Sequence, residues 1–240
     1  MLIKKIGLLS CIVFLSLLVT GQTVDEVINK YINYIGGEGR WKTVQTIITA
    51  GMYNYGGIEF PFKTYSKALN KYKVIVPLKG KYFAQAFDGK KGWKIDAFKN
   101  ETKKTMLSGK EAKAMMNEAD VELESPFIHY QSKGSKAVLE GKDTVAGKEC
   151  YKVMLMRADD TVETYYFDDK TFALLKKQAI SKNSELDNSM LDIYYSNYQV
   201  IKGIRVPFQT IMKTGIQTIL TIKNTKVDIN LPISDASFKP

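Results

Sequence analysis

Residues 145–180 read VAGKECYKVMLMRADDTVETYYFDDKTFALLKKQAI, three strand-forming runs separated by two turn-forming clusters. Cys150 to Arg157 is β-branched and apolar, Ala158-Asp159-Asp160 turns, Thr161 to Phe167 is rich in Thr and Tyr, Asp168-Asp169-Lys170 turns, and Phe172 to Ile180 leaves again. Successive strands joined by short turns form a meander. In the first run a period of two places Tyr151, Val153 and Leu155 on one face and Lys152, Met154 and Met156 on the other. One face must therefore cover a core, and the other is half apolar.

The same period extends in both directions. Toward the N-terminus, Thr46 to Lys99 alternates and is broken at Gly56-Gly57, Pro61, Pro77 with Gly80, and Asp88-Gly89. This predicts antiparallel strands whose best hairpin is Phe87 to Trp93, since Asp-Gly and a second Gly accept the positive φ of a tight connection. Trp93, just past that turn, reads first as a sheet-packing aromatic and second as a ligand contact. Toward the C-terminus, strands are expected over Ile193 to Gln199, Ile204 to Lys213 and Gln217 to Ile229, with Lys136 to Val145 ahead of the meander. The polar stretch Ser181 to Ser189 reads as a loop and the tail Leu231 to Pro240 as irregular.

Three segments break the β pattern. Val24, Val27, Ile28, Tyr31, Ile32 and Ile35 fall on one face of a helix that Thr23 and Glu26 begin as a capping box and Gly36-Gly37 ends. The chain offers this helix only a sheet to pack on. Ser108 with Glu111 opens a second helix carrying Ala112, Met115, Met116 and Ala119 on one side, and Ser125-Pro126 signals a further helical insert through Phe127, Ile128 and Tyr130 to Gly134. Methionine pairs fill core gaps and also suit surfaces that accept varied apolar shapes.

Composition narrows the function. The 240-residue chain opens with Lys4-Lys5 and an uncharged apolar run, Ile6 to Val19, short for a membrane span, with small residues before Gln22. This predicts a secretory signal over residues 1–21, one domain over 22–240, and a periplasmic location. Cys150 is then the only cysteine, so an internal disulfide is excluded, and a thiol within a strand reads as a small core residue. Lysines are spread singly over strands and turns, which argues against nucleic acid as a partner. His129 is the only histidine and has no metal-ligand spacing around it, no Gly-x-Ser-x-Gly elbow is present, and the paired carboxylates sit at turns. No catalytic residue, metal or cofactor is expected.

Several short motifs together carry a resemblance: the opening helix ending Ile35-Gly36-Gly37, Phe87-Asp88-Gly89 with Trp93, Val145 to Val153, Tyr165 to Leu175, and Lys202-Gly203-Ile204-Arg205-Val206-Pro207-Phe208. The chain resembles the LolA-like periplasmic lipoprotein carriers, in particular the outer-membrane lipoprotein-sorting type of Bacteroidetes. The resemblance implies a mainly β (α+β) fold, an open, curved antiparallel half-barrel whose concave face is covered by helices and holds acyl chains. The carriers close their lid with an arginine, a role the resemblance transfers to none of Arg40, Arg157 or Arg205. The expected ligand wall comprises Trp93, Met115, Met116, Phe127, Ile128, Tyr151, Val153 and Leu155. The expected function is that of a monomeric, non-enzymatic carrier of a lipid or of lipoprotein acyl chains, exchanging cargo with a membrane-protein donor or acceptor. An envelope sensor or interaction module of the same fold is the alternative. Burial of about 0.8 kcal/mol per CH₂ lets one long chain bind without polar contacts.

Overall fold

The computed structural model describes residues 22–122, 125–181 and 189–240. The expected leader lies outside the described residues, as does most of Ser181 to Ser189. Helix α1 (Val24–Tyr34) and one-turn α2 (Glu38–Trp41) precede β1 (Thr46–Tyr55), β2 (Ile58–Lys67), β3 (Lys71–Leu78), β4 (Lys81–Phe87), β5 (Gly92–Asp96) and β6 (Glu101–Met106). Helix α3 (Gly109–Glu122) follows. Seven further strands complete the fold: β7 (Lys136–Val145), β8 (Lys148–Met156), β9 (Val162–Asp168), β10 (Leu174–Ile180), β11 (Met190–Ile201), β12 (Ile204–Thr214) and β13 (Gln217–Ile229).

All of these strands join one 13-stranded sheet in the order β6-β5-β4-β3-β2-β1-β13-β12-β11-β10-β9-β8-β7. Every neighbouring pair is antiparallel, and every pair is sequential in the chain except β1 with β13. The sheet stays open, with β6 and β7 at its edges, and the chain crosses between those edges through α3 and residues 125–134. Bulges bend it. At the shift between Ala50 and Gly51, a Cβ on Gly51 would lie 2.3 Å from the Lys223 carbonyl and 2.7 Å from the Phe62 ring. Only glycine fits where β13 and Phe62 close on β1.

Register decides which face each helix covers, because residues directly opposite one another share a face. Met115 and Ala119 of α3 pack with Phe62, Tyr72, Val74 and Phe87. Phe62 pairs with Gly51, and two-residue steps along β1 bring the same face to Ile47, which packs with α1. Helices α1 and α3 therefore cover two ends of the same concave face. Helix α1 forms as its residues dictate: Thr23 and Glu26 cap reciprocally, and Val27, Ile28, Tyr31 and Ile32 are buried. Its C-terminus docks on the β11–β12 turn, where the Arg205 amide donates to the Ile35 carbonyl (3.0 Å).

The structure corrects two expectations and fills in a third. Residues 125–134 are successive tight turns rather than a helix, because His129 takes a φ of 56° that interrupts helical bonding. Pro61 lies inside β2, and the chain reverses instead at Leu69-Asn70, both at positive φ, a turn without glycine or proline to announce it. The tail is irregular as expected, apart from a 3-10 turn at Asp235–Ser237, and it packs against the convex face. Phe238 is fully buried, its carbonyl accepts from Trp93 Nε1 (2.8 Å), and Asp235 bridges Lys67 (2.7 Å) and Lys71 (2.8 Å).

Candidate functional site

Between its two helical covers the concave face carries an apolar floor. Tyr53 pairs with Phe60 and Ile222, Val76 with Phe83, and Met212 with Leu220, so these side chains share the concave face. Tyr53, Phe60, Phe83, Met212, Leu220 and Ile222 are all half-buried. Tyr53 stacks on Phe62 (4.1 Å between centroids, planes 12° apart) and meets Phe60 edge-on (5.8 Å). Large apolar side chains that keep solvent contact side by side form a surface on which further apolar burial is favourable.

A buried charge cluster lies beside it. Glu163 pairs with Leu155 and so faces inward, where it accepts from Tyr165 Oη (2.7 Å) and Lys177 Nζ (2.9 Å) and lies 3.6 Å from Arg157 Nη1. Burial alone would raise the Glu163 pKa, yet Lys177, the Tyr165 hydrogen bond and Arg157 hold it below the usual carboxylate value. Tyr165 is pushed well up by burial and by the same carboxylate. Glu163 was legible in principle, since the period that puts Tyr165 and Phe167 in the core puts it there too. On α3, Glu118 keeps solvent contact, while desolvation raises its pKa against the hydrogen bond from Tyr72, which lowers it.

The expected ligand wall divides. Val153 and Leu155 are fully buried beneath α1, and Phe127 and Ile128 plug the same cluster, Phe127 meeting Tyr31, Tyr165 and Phe167 edge-on. Tyr151 is half-buried and stacks on Phe172 (5.8 Å). These five residues come together, filled by protein rather than left as an open wall. Met115 is 1% exposed against β2–β4, whereas Met116 is 45% exposed and lines an open cleft of about 520 Å³ with Phe87, Lys90, Met106 and Leu107. Trp93 departs from the expectation of a ligand contact: it pairs with Ala86 on the convex face, under the tail, with Lys104 over its ring (4.5 Å). The floor residues were missed because β1, β2, β12 and β13 carry apolar side chains on both faces.

The arginines have separate duties. Arg40 Nη1 donates to the Gly36 carbonyl and Arg205 Nη1 to the Tyr34 carbonyl, both at 2.8 Å, so two of them fasten the end of α1. Arg157 alone joins the inward cluster. Helix α3 reaches toward the β8–β9 turn through Lys113 and Asp159, 3.9 Å apart. His129 lies on the surface, 3.6 Å from Glu38. Burial pushes the Cys150 thiol up to about 11, the state of an unreactive core residue.

An open antiparallel half-barrel with helices across its concave face is the LolA-like fold, and solved structures bear this out. A LolA superfamily protein from Nitrosomonas europaea superposes with a TM-score of 0.59 at 12% identity, over 92% of this chain and 99% of that one. A domain from Vibrio parahaemolyticus assigned to outer-membrane lipoprotein sorting gives 0.59 at 10% identity, over 89% and 94%. A DUF1329 family protein from Desulfovibrio piger gives 0.61 at 14% identity, over 91% and 98%. At such identities the likeness is one of fold. No protein-family model and no curated protein matches the sequence.

Proposed function

We propose that this protein is an exported, non-enzymatic carrier that holds a lipid or the acyl chains of a lipoprotein on its concave face while they cross the periplasm. The observation that carries this reading is the half-buried apolar floor of Tyr53, Phe60, Phe83, Met212, Leu220 and Ile222 between α1 and α3. Acyl chains laid there lose water on both sides, and the Glu163, Lys177 and Arg157 cluster gives the polar end of an amphiphile a place to orient. The fold shared with lipoprotein-sorting and LolA superfamily proteins supports the same reading. Export rests on residues 1–21 acting as a cleaved signal, and N-terminal sequencing of the envelope protein is expected to begin at Gln22.

Native mass spectrometry of protein purified from envelope extract tests the carrier. The parent is expected to retain lipid mass. The double variant Met212→Glu with Ile222→Glu is expected to lose that mass while melting within a few degrees of the parent, because both positions keep solvent contact. An empty parent that instead co-purifies with another protein would overturn the reading in favour of an interaction module.

A further inference from the structure

Strand direction sorts the turns into two groups. Because all neighbours are antiparallel, the β1–β2, β3–β4 and β12–β13 tips lie at one end of the sheet, and the β2–β3, β4–β5 and β11–β12 turns lie at the other. The first end exposes large apolar side chains: Tyr55 and Ile58 on one tip, Tyr82 on the next, and Ile216 on the third, the last fully exposed at 101%. Asn54 pairs with Thr221 while β13 begins at Gln217, so the Ile216 hairpin projects past the end of β1. Among the described residues, none of these side chains belongs to a buried apolar cluster.

The charge on these three tips points to what covers them, while the β8–β9 turn at the same end carries Asp159 and Asp160. Lys79 and Lys81 are exposed on the middle tip and flank an open cleft of about 400 Å³ lined by Pro61, Pro77 and Tyr82. Lys81 Nζ bonds an amide, Asn100 Oδ1 (3.3 Å), rather than a carboxylate. Glu59 is the single carboxylate in the three tip sequences NYGGIE, PLKGKY and KTGIQT. The opposite end differs: Lys142 is held by Glu149 and Asp169, Lys148 by Asp168, and Lys67 and Lys71 by Asp235. Apolar and aromatic tips interleaved with lysines that meet no carboxylate among the described residues match a bilayer interface, whose acyl boundary takes the former and whose anionic headgroups take the latter.

We propose that these three tips dock the protein end-on into the surface of an anionic membrane. Tyr53 and Phe60, two residues inside Tyr55 and Ile58 on the same face, then make the apolar floor continuous with the bilayer. A chain can pass between them without crossing water. The docking itself does not depend on what the floor carries, so it is tested separately.

Co-sedimentation of the full chain, purified from the envelope of the expressing cell, with phosphatidylglycerol–phosphatidylethanolamine vesicles measures it. Binding is expected to exceed that to phosphatidylcholine vesicles and to weaken with salt. Ile58→Asp with Ile216→Asp is expected to weaken it about tenfold or more, and Lys79→Gln with Lys81→Gln about fivefold per lysine. Leu69→Asp, exposed at the opposite end, is expected to bind as the parent does, which separates rim docking from any contact made elsewhere in the chain. Matching melting curves exclude misfolding. Binding that is absent in the parent, that survives the isoleucine changes, or that falls equally with Leu69→Asp would overturn the proposal. Lipid retained in native mass spectra without vesicle binding would overturn the docking and leave the carrier reading standing.

Discussion

The two helical covers of the concave face are fastened by different means. Helix α1 buries Val27, Ile28, Tyr31 and Ile32, carries a reciprocal cap, and is gripped at its end by Arg205 and at its start by Tyr130, whose hydroxyl donates to Asp25 (2.7 Å). Beneath it, Phe127, Tyr165 and Phe167 pack as an aromatic cluster, and such pairs add about 0.5–1.5 kcal/mol each beyond their burial. Helix α3 is held by less. Its buried described side chains are Met115 and Ala119; of its polar ties, Lys94 with Glu111 and Lys113 with Asp159 each include a partner more than half exposed and so are worth little in water, while Glu118 also takes a hydrogen bond from Tyr72. Among the described residues, α1 is the more firmly held of the two covers. If the concave face opens to admit a chain, it opens under α3.

The largest test of this contrast compares two truncations. Phe127→Ala is expected to cost about 3–5 kcal/mol in urea denaturation, since it empties the cluster under α1, while Met115→Ala is expected near the lower end of about 2–5 kcal/mol. Equal costs, or a greater one for Met115, would break the contrast. Native-state hydrogen exchange sharpens it: α3 amides are expected to exchange by a lower-energy opening than those of α1.

Next in size is the inward carboxylate. Glu163→Gln leaves Lys177 and Arg157 facing a neutral group in a buried site, at an expected cost of about 3 kcal/mol. Its pH dependence has a definite sign. The folded-state pKa is depressed from 4.5, so the stabilisation is complete above that value and is lost as pH falls through the lower folded value. Urea midpoints followed from neutrality into acid are expected to fall less steeply for Glu163→Gln than for the parent. A parallel fall would mean that the cluster is uncoupled from folding. Smaller again is Thr23→Ala, expected to cost about 1 kcal/mol by leaving the first turn of α1 without its cap.

How much of this was legible depended on whether a segment's neighbours are near in sequence. The meander, α1 with its caps and the Asp88-Gly89 hairpin are local, and turn chemistry with a period of two or 3.6 residues places them within a residue or two. The reversal at Leu69-Asn70 was hidden because leucine rarely adopts positive φ and Asn70 stands without a glycine or proline beside it. Position on the sheet is non-local. Trp93 and Phe87 flank one turn and both are apolar, yet the first lies under the tail and the second under α3, and only the β4–β5 register separates them. The floor escaped for the same reason: Tyr53 and Ile222 meet through the one non-sequential pairing, β1 with β13. The resemblance supplied the half-barrel but not which side chains line it.

The smallest effect expected is the most discriminating. Met115 and Met116 are adjacent in sequence and read as one apolar unit, but the helix turns them apart: the first is sealed against Tyr72, Val74 and Phe87, and the second faces the cleft beside Lys90. A glutamate at 116 keeps its water and gains Lys90 and Lys113 nearby, so Met116→Glu is expected to change stability by less than about 0.5 kcal/mol. It is also expected to leave lipid retention near the parent's, because the cleft opens beside the β4–β5 turn while the floor runs to the opposite end of the sheet. Thermal melts and native mass spectra on one preparation, set beside Met212→Glu with Ile222→Glu, decide the point. Retention lost at Met116 and kept in the floor variant would move the bound chain from the middle of the sheet to the edge of α3, and α3 would then be the binding surface rather than its cover.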